Sequence, residues 1–208
     1  PDGFSVIGVG YEDCNVIIDT AEDRFMAKMF AKTRKPEEIE RYATVMQKVV
    51  EADVSHPELV ATPNGDLIYR TGNISLALMR FVEGKTFYDL NRIPTDDECK
   101  AIIEQAARIN RIDYKPPYLF DSWAIPHIQA MFDKVKQFID PADLPLVEEV
   151  MRRYRAVPVG DLPHAFVHGD IIKTNTIKGD DDKLYVIDFS VANWYPRVQE
   201  LAVMAANL

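Results

Sequence analysis

The sequence predicts an α+β fold of two lobes: a five-stranded antiparallel sheet with one helix, followed by a mainly helical lobe. Three observations carry this expectation. Residues 4–81 hold short apolar runs broken by turn residues, with one helical period among them. Residues 96–154 repeat apolar side chains at spacings of three and four. Residues 166–190 return to strands and place acids at the strand ends. A chain of 208 residues suits one domain or two small lobes.

In the first part, residues 4–9 read as a strand, with Gly8, Gly10, Tyr11, Glu12 and Asp13 at its turn. This is not a G-x-G-x-x-G, and a lone glycine pair is weak evidence of a phosphate loop. Residues 15–19 form a second strand. Residues 24–30 form a third, with Phe25, Ala27 and Met29 on one face and Met26, Lys28 and Phe30 on the other. A lysine among large apolar residues is costly unless its ammonium meets an anion. On its own, Lys28 reads as an edge-strand lysine reaching water.

Pro36, Glu37 and Glu38 open a helix, since proline fits the first turn and acids favour its positive end. Ile39, Tyr42, Val45, Met46, Val49 and Val50 give it one apolar face. Glu38 lies near the edge of that face, while Glu37 and Glu40 point away. Asn64-Gly65 signals a hairpin between residues 59–62 and 67–70. A turn at residues 71–73 leads into a strand over 74–81, so the first lobe is expected at 1–82 and the second at 83–208.

The second lobe opens with a helix from Asp96 carrying Ile102, Ile103, Ala106 and Ile109. A second helix starts at Ser122 or Ile125 and carries Ile128, Met131, Phe132, Val135 and Phe138. A third starts near Asp143 and runs through Val147, Val150, Met151 and Tyr154; Pro158 and Pro163 close it.

The chemistry concentrates in FVHGDIIKTNTIKGDDDKLYVIDFS. His168-Gly169-Asp170 follows an apolar strand, and Asn175 comes five residues after Asp170. Leu184, Tyr185, Val186 and Ile187 form a buried-type run that ends on Asp188-Phe189-Ser190. Two acids and an amide at strand ends, separated by a Gly-Asp-Asp-Asp-Lys turn, can converge on one spot. An ordinary acidic hairpin, with Asp170 and Asn175 as turn formers, leaves the acids at the strand ends unexplained.

The order H-G-D-x-x-x-x-N followed by I-D-F resembles the aminoglycoside phosphotransferase, choline kinase and homoserine kinase group of small-molecule kinases. That resemblance implies a protein-kinase-like fold, ATP and Mg²⁺, and a small-molecule hydroxyl as phosphate acceptor. It implies Asp170 as the catalytic aspartate that takes the hydroxyl proton, with Asn175 and Asp188 holding Mg²⁺. Lys28 becomes a phosphate-binding lysine, with Glu38 as its helix partner and Glu40 as the alternative. The segment Met79-Arg80-Phe81-Val82-Glu83-Gly84 resembles the family's hinge. There the Arg80 carbonyl and the Val82 N–H would bind adenine, and Met79 would line the pocket. His168 would brace the loop, and Glu200, in the D-x-A position, would brace it from below. Ser190 stands where the family usually has glycine. The early G-Y-E-D-C-N loop leans toward the homoserine-kinase branch. Relatives continue through further helices, so the resemblance implies an incomplete C-terminal end. A non-catalytic kinase-like nucleotide-binding module is the alternative; a protein kinase is disfavoured by Gly169 in place of arginine and by the absence of A-P-E after Asp188.

Composition narrows the classes further. A net charge of −9 argues against a nucleic-acid surface. It suits a cationic substrate, though most acidic surfaces are only solvated. No apolar run approaches the roughly 20 residues of a membrane span, and Pro1-Asp2 opens without a leader pattern. Cys14 and Cys99 suggest no disulfide framework, so a reducing cytoplasm is expected. His56, His127, His164 and His168 show no zinc spacing. No protein partner can be inferred.

Overall fold

The computed structural model describes residues 2–8 and 13–208. Its first part is an antiparallel sheet of β1 (Gly3–Ile7), β2 (Cys14–Asp19), β3 (Arg24–Met29), β4 (Leu59–Val60), β5 (Ile68–Thr71) and β6 (Ile74–Arg80). The strand order is β1-β2-β3-β6, and both β4 and β5 run along the far edge of β6. Leu59 faces Met79, and Ile68 faces Ala77. The expected hairpin between residues 59–62 and 67–70 is therefore corrected. Gly65 does turn the chain, at φ 88°. The flanks, however, pair with the seven-residue β6 in succession rather than with each other.

Helix α1 (Pro36–Glu51) covers this sheet. Its apolar stripe buries Ile39, Tyr42, Val45, Met46 and Val49 in a core shared with Phe166, Ile171, Val186 and Phe189. Each such side chain contributes about 1.5–3 kcal/mol by leaving water. The core thus binds the sheet, α1 and the segment from Phe166 to Phe189 into one body. Arg41, on the same helix, is buried and donates to the Pro117 carbonyl at 2.7 Å and to the Ala192 carbonyl.

The second part holds α2 (Asp96–Ile109), α3 (Ile128–Val135), α4 (Leu144–Arg155) and α5 (Val198–Asn207). Tight single turns at Ile125–His127 and Lys136–Phe138 flank α3, so the helix expected there is split at both ends. Two small sheets accompany the helices. β7 (Gly84–Thr86), β9 (Thr176–Gly179) and β10 (Leu184–Val186) form one; β8 (His164–Val167) and β11 (Asn193–Pro196) form the other. Gly84 sits against β9 so closely that a Cβ would lie 2.3 Å from the Lys178 carbonyl oxygen. Among the described residues no helix is long and apolar enough to cross a membrane.

Candidate active site

Strand β8 delivers His168 to the centre of the molecule, where it is fully buried. Its Nε2 lies 3.0 Å from the Ile187 carbonyl, and its Nδ1 accepts the Asp170 N–H at 3.1 Å. A carbonyl can only accept, so the proton sits on Nε2 and the ring is neutral. Burial holds the imidazole down at about 4. His168 therefore ties the two acid-bearing loops together, as the sequence suggested.

Glu200, at the start of α5, grips the same loop. Its carboxylate accepts the backbone N–H of His168 at 2.7 Å and of Gly169 at 3.1 Å. Gly169 has φ 84°, a left-handed conformation suited to glycine. Full burial pushes the Glu200 carboxyl up to about 7, against the downward pull of those donors and of Asn110.

Asp170 emerges from this frame. Asn175 donates to its Oδ2 at 2.6 Å and to its backbone carbonyl at 3.0 Å. Burial and the neighbouring charge of Asp188 raise Asp170 to about 6, while Asn175 opposes them. A carboxylate held near 6 accepts protons more readily than an ordinary one and stays ionised at neutral pH.

Asp188 follows β10 in a left-handed conformation, φ 67° and ψ 69°. Burial raises its pKa, but Lys28 and Ser190 outweigh that and bring it to about 2. Ser190 donates Oγ–H to Asp188 Oδ1 at 2.7 Å, so the serine in the glycine position helps fix the acid. Phe189 is buried with ring centroids 4.4 Å from His168 and 5.8 Å from His56. That packing locks the turn from below.

A magnesium ion would find oxygen donors here. The Asn175 amide nitrogen is committed to Asp170, which leaves its side-chain oxygen available, and the Asp188 carboxylate is partly exposed. Among the described residues there is no cluster of three His, Cys, Asp or Glu suited to a metal. This donor set fits a cation that completes its shell with water and nucleotide phosphates.

Lys28 is 6% exposed, and its ammonium lies 3.1 Å from Asp188 Oδ1 and 3.3 Å from Asp13 Oδ2. The expected partnership with Glu38 is corrected. Glu38 occupies the first turn of α1, where its carboxylate accepts the Lys35 N–H at 3.2 Å and caps the helix. Glu40 is committed to Arg70 on the outer surface. Met79 is buried. The Arg80 side chain points outward to Asp23 and Glu58, which leaves only its backbone for the role expected of it. The Arg80 and Phe81 N–H groups bond Glu58 and Arg24, whereas the Val82 N–H has no partner among the described residues. The Val9, Gly10, Tyr11 and Glu12 part of the expected phosphate turn lies outside those residues.

Sequence reasoning missed the grip of Asp13 on Lys28 and the bridging of Arg41. Asp13 was visible as a turn acid, and only the β2–β3 register reveals its neighbour. Arg41 carried a signal, a charged residue flanked by Ile39 and Tyr42 on the apolar stripe, which was not used.

The geometry defines a kinase-type phosphotransfer fold, with a sheet and helix above an acid-bearing loop and hairpin. The profile of the phosphotransferase enzyme family matches residues 3–208, and the chain belongs to that family. Homoserine kinases of Parvibaculum lavamentivorans and Brucella ovis are each 22% identical over 91% of this chain. The chain spans only 59% and 58% of those two relatives. A spectinomycin phosphotransferase solved with ADP and spectinomycin has a TM-score of 0.68 at 13% identity, covering 95% of this chain and 66% of its own. An amicoumacin kinase solved with AMP-PNP and Ca²⁺ also reaches 0.68, at 12% identity, covering 100% of this chain and 64% of its own. A choline/ethanolamine kinase family protein from Mesorhizobium loti reaches 0.65 at 15% identity, covering 98% and 63%. These structures share the fold with this chain.

Proposed function

We propose that the chain is the nucleotide-binding and catalytic core of an ATP- and Mg²⁺-dependent kinase that phosphorylates a hydroxyl of a small molecule. The observation that carries this reading is the pairing of Asn175 with Asp170 at 2.6 Å and of Lys28 with Asp188 at 3.1 Å, the two pairs held side by side by the Ile187 N–H donating to the Asn175 carbonyl at 3.0 Å. Residues 1–82 form the nucleotide lobe in this reading, and 83–208 the catalytic lobe. The homoserine kinases among its relatives favour an amino alcohol or homoserine-like acceptor. Two free cysteines suit a reducing cytoplasm.

In the mechanism, the Arg80 carbonyl and Val82 N–H hold adenine beside Met79. Lys28 neutralises the α- and β-phosphates. Asn175 and Asp188 would hold Mg²⁺, which would offset the charge of the phosphates. Asp170 orients the acceptor hydroxyl and takes its proton as the new O–P bond forms and the bond to the β-phosphate oxygen breaks, releasing ADP. The loose transition state needs little covalent help, so positioning and charge supply most of the rate.

The test is γ-phosphate transfer from MgATP to a panel of homoserine, choline, ethanolamine, hydroxylysine, sugars and aminoglycosides, with Asp170→Asn beside the wild type. Phosphorylation of one acceptor, lost in Asp170→Asn, supports the reading. Nucleotide binding without transfer to any acceptor would indicate a non-catalytic module.

A further inference from the structure

Of the two carboxylates that meet Lys28, Asp13 immediately precedes β2 and Asp188 follows β10; neither lies on helix α1. Asn15 sits opposite Lys28 in the β2–β3 register, and Cys14 sits opposite Met29. One step further, Asp13 falls opposite Phe30, on the same sheet face as Lys28 and diagonal to it. Its side chain is 2% exposed. Besides Lys28, its carboxylate receives Arg34 Nε at 3.0 Å, Arg34 Nη2 at 2.9 Å and the Ala31 N–H at 3.1 Å. A buried carboxylate with this many donors has one stable orientation.

Helix α1 offers no competing acid. Glu38 closes the helix cap and Glu40 faces Arg70. One turn beyond Glu38, the buried position is Tyr42, a neutral phenol packed edge-on against Phe30.

We propose that Asp13 is the residue that positions Lys28 for the nucleotide phosphates, and that Arg34 fixes Asp13 in turn. This inference rests on the nucleotide reading above. An ammonium has three N–H donors. Among the described residues only Asp13 and Asp188 meet that of Lys28, which leaves the third donor for a phosphate oxygen. The lysine is thereby anchored to the residue that leads into β2. Its alignment is independent of any acid on α1.

Calorimetric titration separates this from a merely structural role, using MgATP, MgADP and adenosine as probes. Asp13→Asn leaves Lys28 with one partner, so MgATP and MgADP should each bind at least about tenfold more weakly. Adenosine, which lacks phosphates, should bind as to wild type. Glu38→Gln should lower the melting temperature without changing MgATP affinity. Unchanged or tighter MgATP binding in Asp13→Asn overturns the proposal, as does equal weakening for adenosine or the same loss in Glu38→Gln. If Asp13→Asn does not fold, Asp13→Glu carries the test. It keeps the charge but displaces it by one methylene, and should weaken MgADP while sparing adenosine; equal affinities for MgADP overturn the proposal. Failure of the wild type to bind MgATP overturns the nucleotide reading and this inference together, whereas wild-type binding with no effect of Asp13→Asn overturns this inference alone.

Discussion

Asn175 donates one side-chain amide to both the carboxylate and the backbone carbonyl of Asp170, at 2.6 and 3.0 Å. The contact fixes the Asp170 carboxylate and turns the Asn175 side-chain oxygen away from it. One residue thus links the proposed base to the proposed metal site.

Replacing Asp170 by Asn should reduce phosphate transfer by about 10²–10⁴-fold, the usual contribution of a positioned base. MgATP affinity should change little. In the wild type, kcat/KM should rise with pH through an apparent pKa near 6, as Asp170 loses its proton. Because that pKa is raised above 3.8, protonation favours the folded state, and stability is lost as pH rises through about 6. Asp170→Asn should therefore also melt at a higher temperature at pH 7, an inverse relation between activity and stability that scanning calorimetry would reveal.

Asp188→Ala should instead act on binding. It removes a metal donor and leaves Lys28 and Ser190 without their shared acceptor. We expect at least about a tenfold loss in MgATP affinity and a higher Mg²⁺ requirement for transfer, measured by titrating the metal at fixed ATP. The pKa of Asp188 is depressed from 3.8 to about 2, so its stabilisation is present above 3.8 and is lost as pH falls through about 2.

Glu200 should impart a different pH dependence to stability. Its folded pKa is raised from 4.5 to about 7. The linked stability is complete below 4.5 and is lost as pH rises through about 7. Urea unfolding across that range should show a steeper fall in the wild type than in Glu200→Gln, which keeps only the part that Asp170 contributes up to about 6. Glu200→Ala, which leaves the N–H groups of His168 and Gly169 unpaired, should cost about 1–3 kcal/mol below pH 4.5 and less as pH rises through about 7.

Arg41→Met tests the bridge from α1 to the second part. The hydrophobic stem remains, but the Pro117 and Ala192 carbonyls lose a charged donor. The expected cost is about 2–4 kcal/mol in chemical denaturation, with transfer reduced only as the folded fraction falls.

Local patterns made most of the fold legible. The α1 stripe from Ile39 to Val49, the Pro36 start and the Asp96 start of α2 are properties of adjacent residues, and the structure keeps them. The hairpin at Asn64-Gly65 was misread because a turn residue specifies a bend, whereas strand partners depend on which edge is free. Here that edge belonged to β6.

By itself, the sequence determined the identity and order of the candidate site residues: His168, Asp170, Asn175 and Asp188 lie within one short stretch, where spacing and strand periodicity act. Tertiary structure alone decided which charges meet. Lys28 and Asp188 are 160 residues apart in sequence but 3.1 Å apart in space. Glu38 was drawn to its own helix cap, while Asp13 was carried to Lys28 by strand register. The reason is physical: periodicity fixes the face a side chain occupies, whereas an ion pair depends on the packing of elements far apart in the chain.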